Sequence, residues 1–159
     1  MNDVDILYSV NKSNAIDIAL HLLHSDGQFT PPLSQRVDIE SYASRIADHA
    51  MRFEAWIDGS LIALVAAYFN IDENRFYITN VSTASTFGGK GIAKSLLKHC
   101  LEYADNGPIT IGYLEVQASN AVALSLYCKC GFEGFTAQVD RIQMRRTRPS
   151  NLPTLKGTP

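Results

Sequence analysis

Several features that would assign this chain of 159 residues to a specialised class of protein are missing from its sequence. Its 14 basic and 16 acidic side chains leave a net charge of −2, so it has no general electrostatic attraction to nucleic acid or to an anionic membrane. No apolar run reaches the roughly 20 residues that a membrane-spanning helix needs. The opening MNDVDILYSV has acids where a secretory signal has basic residues. We therefore expect a cytoplasmic globular protein that binds neither nucleic acid nor membrane.

Cysteine and histidine are too few and too scattered for a disulfide framework or a metal centre. The three cysteines cannot all pair, and Cys128 and Cys130 lie two apart in a helical pattern, which directs their side chains to different faces. His21 and His24 share a helical face, but no cluster of cysteines or carboxylates accompanies them. We expect reduced thiols and no metal.

The apolar pattern predicts an α/β fold with the element order β-α-α-β-β-β-α-β-α-β-β and helices on both faces of a mixed sheet. The first helix is expected to bury a stripe formed by Ile16, Ala19, Leu20 and Leu23. The predicted strands are 4–10, 52–58, 61–70, 75–83, 109–118, 135–139 and 141–146, and the predicted helices are 11–27, 38–50, 92–104 and 119–130. We predict a single domain over 1–147 and a flexible tail over 148–159.

The segment FGGKGIA, residues 87–93, places three glycines and a lysine directly before a helical pattern. It is not a P-loop, because Lys90 is followed by Gly91, and it is not a dinucleotide fingerprint, whose third glycine would fall on Lys94. A helix N-terminus offers unpaired N–H groups and partial positive charge, and glycine lets a phosphate approach the backbone closely. From these residues alone, a phosphate site and a simple turn are both open.

Two longer stretches, NVSTASTFGGKGIAKSLLKHCLEYA and YLEVQASNAVALSLYCKCGF, resemble the GNAT superfamily of N-acetyltransferases. The family pattern Q/R-x-x-G-x-G/A maps onto 88–93, with Gly88 in place of the usual Arg or Gln. A second family motif stands here as Asn120, Tyr127, Gly131 and Phe132 with its full spacing. The element order also fits that fold, so the resemblance covers about residues 4–146.

The resemblance implies acetyl-CoA as the donor of an acetyl group. Its pyrophosphate would lie on the backbone amides of Gly88, Gly89, Lys90, Gly91, Ile92 and Ala93. Its pantetheine arm would pair, like an added strand, with the backbone at Val81 and Thr83. Asn120 would either hydrogen-bond the cofactor or only cap its helix.

By the same resemblance, Tyr127 would be either the general acid that protonates the departing thiolate, a role that suits a neutral phenol, or a tyrosine packed on the inner face of its helix. The sequence does not identify the base. Tyr77 and Glu115 are candidates, although alternation leaves the direction of Glu115 open, and an ordered water chain would also serve.

The expected reaction is direct acetyl transfer to a small-molecule or peptide amine in a ternary complex. Phe29, in the proline-containing loop between the first two helices, is a candidate contact for the acceptor or a loop-packing residue. The alternative function is a non-catalytic acyl-CoA sensor or interaction module on the same fold. The sequence leaves open whether the chain is a monomer or a homodimer.

Overall fold

A computed structural model describes residues 5–29 and 31–149 of the chain. Over these residues the helices and strands follow in the predicted order. They are β1 Leu7–Val10, α1 Ala15–Ser25, α2 Ile39–His49, β2 Met51–Ile57, β3 Ser60–Asn70, β4 Arg75–Thr83, α3 Ile92–Asp105, β5 Ile111–Gln117, α4 Ala121–Lys129, β6 Glu133–Ala137 and β7 Arg141–Thr147. The strands form a mixed sheet in the order β1-β2-β3-β4-β5-β7-β6. The predicted fold class and element order are confirmed.

The described residues fall into two compact units. The first contains the residues up to 67 together with 80–97, and the second contains 68–79 and the residues from 98 onward. Whether 1–147 folds as one domain stays a prediction. Of the predicted tail, Arg148 is held, because its Nη1 donates to the carbonyls of Asp105 and Gly107 at 2.8 and 2.9 Å. The remainder from residue 150 lies outside the described residues.

In the first unit, helix α1 buries a different face from the one that hydropathy predicts. It begins with a capping box in which Asn14 and Asp17 each accept from the other's backbone N–H. Its buried residues are Ile18, His21, Leu22 and Ser25, whereas Ile16, Leu20 and Leu23 are 70%, 53% and 55% exposed. The predicted stripe was therefore wrong, because two polar residues face inward and form hydrogen bonds there.

Helix α2 follows the prediction. The carboxylate of Asp38 accepts from the backbone N–H of Ser41 at 3.1 Å, and the helix buries Ile39, Tyr42 and Ile46. The apolar spacing was sufficient here because one face of this helix is charged and the other is not.

A buried ionic network joins the segment before α1 to strand β2 in the first unit. Glu54 is fully buried and accepts from the hydroxyl of Ser9 at 2.8 Å, from the backbone N–H of Lys12 at 2.8 Å, and from both the backbone N–H and the hydroxyl of Ser13. Arg52 lies 3.6 Å from this carboxylate and donates to the Ser13 carbonyl at 2.9 Å. The network satisfies the buried charge and fixes the start of α1.

In the second unit, strand β5 pairs with β4 in parallel and with β7 antiparallel. Gly112 of β5 lies under the ring of Phe76, and a Cβ added at Gly112 would lie 2.1 Å from that ring. Phe76 in turn stacks on Phe69 with 5.1 Å between ring centres. The close packing of β5 beneath these rings thus requires a residue without a side chain.

Candidate active site

The glycine segment forms an open backbone surface at the start of α3. A short 3₁₀ turn, Ser85–Phe87, leads into Gly88, and the helix begins at Ile92. Gly89 and Gly91 have positive φ angles of 75° and 77°, the left-handed region that glycine adopts readily. A Cβ built on either glycine has no atom within 4 Å. The glycines therefore relieve no internal clash, and the backbone here is accessible to a ligand.

Positive charge surrounds this helix start. Lys90 and Lys94 are exposed, while the buried side chain of Ile92 anchors the first turn in the core. The ammonium of Lys90 lies 5.8 Å from the ring centre of Phe87, so it rests against its own segment. Free N–H groups, the helix dipole and two lysines together favour an anion.

The end of β4 has one buried polar face and one half-exposed face. Asn80 and Ser82 are buried, whereas Val81 and Thr83 are half-buried. The Ser82 hydroxyl donates to Asn80 Oδ1 at 2.7 Å and lies 2.8 Å from His21 Nε2. Because the one hydroxyl proton goes to Asn80, His21 Nε2 must be the donor to Ser82.

This arrangement determines the charge of His21. Burial lowers the pKa of His21 to about 4, with the nearby His24 acting in the same direction and the Leu61 backbone opposing both. The ring is therefore neutral near pH 7, and its buried Nδ1 has no hydrogen-bond partner among the described residues. The cluster fixes β4 from one side and leaves the half-exposed side of the strand available.

In the second unit, helix α4 carries Tyr127 and is capped by Asn120. Asn120 Oδ1 accepts from the backbone N–H of Ala123 at 3.1 Å, so the capping role considered for this residue is present. Tyr127 is buried, and its ring meets Phe132 edge to face with 6.2 Å between centres. Burial, with a smaller contribution from Cys130, raises the pKa of Tyr127 to about 12, so its phenol keeps its proton.

The two candidate bases lie on one face of the sheet. Tyr77 is the parallel register partner of Tyr113, and Glu115 lies two residues farther along β5, so the three side chains share a face. Glu115 forms an ion pair with Arg141 at 3.2 Å, and its side chain is 30% exposed. Tyr77 is 41% exposed. Glu115 is therefore both charge-paired and accessible to water.

Tyr77 also lines a cavity of about 520 Å³ in the second unit. The other lining residues come from strands β3, β4, β5, β6 and β7, and they are Tyr68, Asn70, Arg75, Tyr113, Leu114, Phe135 and Gln143. Of the cavity's lining residues, only Tyr77 is among the site residues predicted from the sequence. Strand alternation predicts which residues of one strand share a face. The register between strands decides which side chains of neighbouring strands meet, and the sequence does not reveal it.

Phe29 is half-buried and follows a short 3₁₀ turn, Asp26–Gln28, in the first unit. The adjacent loop is closed by Ser34, whose backbone N–H and hydroxyl donate to the Asp26 carboxylate at 2.8 and 2.7 Å. The contact of Phe29 with the acceptor stays a prediction.

The cysteines and the remaining ionisable groups suggest no further chemistry. Cys100 is buried, Cys128 is exposed and Cys130 is half-buried, and none of the three forms a disulfide. Over 5–29 and 31–149, no group of three or more His, Cys, Asp or Glu is placed to hold a metal ion. Among the helices of the described part of the chain, none has the length and apolar character to cross a membrane.

Comparison with known proteins gives a consistent result. A model of the acetyltransferase (GNAT) family matches residues 19–132. The ribosomal protein bS18-alanine N-acetyltransferase of Escherichia coli strain K12 is 26% identical over 97 residues, which cover 61% of this chain and 64% of the enzyme. The N-acetylaspartate synthetase of Rattus norvegicus is 33% identical over 95 residues, which cover 60% of this chain and 31% of that protein. The matched region thus spans less than two thirds of either relative.

Solved structures share the fold. The crystal structure of the ribosomal-protein-S18-alanine N-acetyltransferase from Escherichia coli matches with a TM-score of 0.71 and 19% identity, covering 92% of this chain and 99% of that one. The PaiA N-acetyltransferase from Thermoplasma acidophilum, solved in complex with coenzyme A, matches with a TM-score of 0.67 and 16% identity, covering 89% and 99%. At these identities the likeness concerns the fold alone, and it agrees with the match over 19–132: the chain belongs to the GNAT family of acetyltransferases.

Proposed function

We propose that this protein is an acetyl-CoA-dependent N-acetyltransferase that transfers the acetyl group directly to an amine in a ternary complex. The observation that carries the proposal is the open, glycine-lined start of α3 in a member of this family. Gly89 and Gly91 adopt the left-handed backbone that glycine favours, and no neighbouring atom lies within 4 Å of a Cβ built at either position. A bound diphosphate would use the space that the missing side chains leave open.

The residues present fit the donor. The backbone of Gly88, Gly89, Lys90, Gly91, Ile92 and Ala93 would hold the pyrophosphate, with the ammonium groups of Lys90 and Lys94 adding charge. Gly88 cannot supply the side-chain contact that Arg or Gln would give. Backbone N–H groups and the two lysines would therefore supply a larger share of the pyrophosphate contacts. The half-buried edge at Val81 and Thr83 would pair with the pantetheine amides.

Acetyl transfer has three requirements, and two of them, the proton transfers, can be assigned to side chains of this chain. The amine must lose a proton, the thioester carbonyl must be polarised, and the departing thiolate must gain a proton. An alkyl amine has a pKa of about 10.4, so only about one molecule in a thousand is neutral near pH 7.4, a cost of about 4 kcal/mol. A base and correct positioning of the amine offset this cost.

Tyr127 is the proposed acid. Its buried phenol stays protonated because burial raises its pKa to about 12, so it can donate a hydrogen bond to the developing thiolate at any physiological pH. Asn120 caps α4 through its side-chain oxygen, and the amide NH₂ of the same side chain is the part that would contact the cofactor.

Glu115 is the preferred base. A neutral phenol is a weak base, which disfavours Tyr77, whereas the Glu115 carboxylate is partly exposed and can accept a proton through water. Its ion pair with Arg141 holds the carboxylate in place. Replacing Glu115 by Gln should lower kcat most strongly at low pH, where the neutral amine is scarcest. Equal rates at all pH values would remove Glu115 from this role.

The acceptor is an amine of a small molecule or a peptide. The curated relatives are named for acceptors of both kinds, an alanine of a ribosomal protein and aspartate. We further propose a cytoplasmic location, and Phe29 as a contact for the acceptor. Size-exclusion chromatography with light scattering distinguishes a monomer from a homodimer.

The proposal is tested by two independent measurements. Acetyl-CoA at 100 times its dissociation constant should stabilise the fold by about 2.7 kcal/mol, which raises Tm by roughly 5 to 11 °C. Free thiol should then appear from acetyl-CoA when a suitable amine is added. Stabilisation without thiol release across a broad amine panel would indicate an acyl-CoA sensor, and no stabilisation at millimolar ligand would overturn the donor site as well.

A further inference from the structure

The cavity of about 520 Å³ in the second unit has an aromatic lining that the transfer chemistry does not require. Four of its eight lining residues are aromatic: Tyr68, Tyr77, Tyr113 and Phe135. Two amides, Asn70 and Gln143, supply neutral hydrogen-bonding groups. Its size lies within the range of small-molecule sites, which are mostly apolar with a few polar groups.

The fold orients these rings through strand register and one irregularity. Tyr77 and Tyr113 are paired across β4 and β5, and Arg145 of β7 lies opposite Tyr113. The β6–β7 register shifts between Gly134 and Thr136, which leaves Phe135 as the extra residue of a bulge. Bulges redirect a side chain out of the regular alternation.

The redirected ring of Phe135 is held on two sides. It meets the Tyr113 ring edge to face, with 5.8 Å between centres and 65° between planes. The guanidinium of Arg145 lies 5.1 Å from the Phe135 ring centre. Phe135 nevertheless remains 42% exposed, although a ring of this size is usually buried. The ring is thus positioned without being packed into the core.

The charges around the cavity disfavour a ligand that carries several positive charges. No described residue that lines it carries a carboxylate, and its one charged lining residue, Arg75, pairs with Glu73 at 2.5 Å. A polyamine or a multiply charged aminoglycoside would meet the guanidinium of Arg75 and no lining acid, and Arg145, which contacts the Phe135 ring, adds a second positive charge nearby. A flat, uncharged ring would instead meet aromatic faces and edges and neutral amides.

The cavity adjoins the proposed base. Tyr113 lines the cavity, and Glu115 follows it two residues later on the same face of β5, about 7 Å along the strand. Gln143, the register partner of Glu115, also lines the cavity. A ring among Tyr77, Tyr113 and Phe135 would therefore present an amine to Glu115 through a linker of two or three carbons.

We propose that this cavity binds an aromatic ring of the acceptor, so that the amine substrate is of the arylalkylamine class. The proposal rests on the proposed function for the acetyl transfer, but the ring site itself is a binding property. It predicts a preference for an aromatic over a saturated ring of about the same size. Aromatic pair geometry contributes roughly a two- to tenfold difference in affinity beyond buried area.

The test is a set of calorimetric titrations of the full chain with 2-phenylethylamine, 2-cyclohexylethylamine and 2-phenylethanol. The two phenyl compounds should bind about two- to tenfold more tightly than the cyclohexyl compound, because the ring is the recognised group. Phe135→Leu should reduce this preference. Tyr8→Leu is the matched control, since Tyr8 is a similarly exposed aromatic residue (46%) on β1, at the opposite edge of the sheet, and it should keep the preference.

Equal affinities for the phenyl and cyclohexyl compounds, or a preference unchanged in Phe135→Leu, would overturn the ring site. Thiol release from acetyl-CoA, measured separately, keeps the two proposals distinguishable. If 2-phenylethanol binds with the expected preference but no amine is acetylated, the ring site stands and the proposed function fails. If aliphatic amines are acetylated and phenyl compounds show no preference, the proposed function stands and the ring site fails.

Discussion

Replacing Gly91 by Ala separates a ligand-binding role of the glycine segment from a purely conformational one. Gly91 has a φ of 77°, and a Cβ there meets no protein atom within 4 Å. The chain provides a matched control at Gly59, in the β2–β3 hairpin, where φ is 79° and a Cβ is equally unobstructed. Both substitutions impose the same left-handed backbone on alanine. A difference in acetyl-CoA affinity between the two variants would therefore come from contact between residue 91 and the ligand.

The expected magnitudes follow from this geometry. The left-handed conformation costs an L-residue about 1 to 2 kcal/mol, which lowers Tm by roughly 2 to 8 °C in a chain of this size, and it should do so in both variants. At Gly91 alone, the new methyl group would block a phosphate from the backbone. Losing one charge-assisted hydrogen bond costs about 1.5 to 3 kcal/mol, so acetyl-CoA affinity should fall roughly 10- to 100-fold.

Thermal unfolding measures the loss of stability that both variants should share. Calorimetric titration with acetyl-CoA measures the loss of affinity that is expected only in Gly91→Ala. Gly59→Ala should bind acetyl-CoA as the unmodified protein does. Wild-type affinity in Gly91→Ala would refute the reasoning, because the segment would then be only a turn. Equal losses of affinity in both variants would show that backbone strain, and not contact with phosphate, controls binding.

Four further changes have defined outcomes. Tyr127→Phe should lower kcat by roughly 100-fold or more with little change in acetyl-CoA affinity. Because burial raises the pKa of Tyr127 to about 12, deprotonation of this phenol should not lower the wild-type rate below about pH 11. Glu54→Gln should lower the free energy of unfolding in urea by about 3 to 5 kcal/mol, whereas Glu73→Gln, in an exposed pair, should change it by less than about 1 kcal/mol. Gly112→Ala should destabilise by about 1 to 3 kcal/mol, and a wild-type urea midpoint would contradict the 2.1 Å approach of a Cβ to the ring above it. Burial lowers the pKa of His21 from 6.5 to about 4, so the unfolded chain binds this proton first as pH falls. Up to about 3 kcal/mol of stability should be lost between these values, and His21→Gln should flatten that part of the urea-derived pH dependence.

Elements with strong local signals could be predicted from the sequence. Strand β4 has its predicted bounds, Arg75–Thr83, and the Asp58-Gly59 pair forms the predicted hairpin turn with both φ angles positive. The N-cap at Asp38 and the helix beginning at Ile92 were also correct. In each case a few adjacent residues determine the local backbone conformation, so tertiary contacts do not need to be known.

Features that depend on distant residues could not be predicted in this way. Helix α1 has apolar residues on two faces, and the buried face is the one whose His21 reaches Ser82, 61 positions away. The Glu54 network depends on contacts 41 to 45 positions apart, and a lone glutamate in an apolar strand gives no sign of them. Hydropathy scores such polar residues as exposed, because it does not include the partners that satisfy them.

The same distinction applies to the two proposed sites, the glycine segment in the first unit and the cavity in the second. The proposed donor site depends on consecutive residues, since the conformations of Gly89 and Gly91 and the start of α3 are all set within 88–93, so a sequence motif can predict it. The proposed acceptor cavity depends on the register among five strands and on a bulge that redirects Phe135. A one-residue change in register would direct an entire strand's side chains to the opposite face while leaving its composition unchanged. If the two proposed sites are correct, acceptor specificity can change through small shifts in β6 and β7 that leave the donor motif intact, so we expect the motif to predict the donor and not the amine.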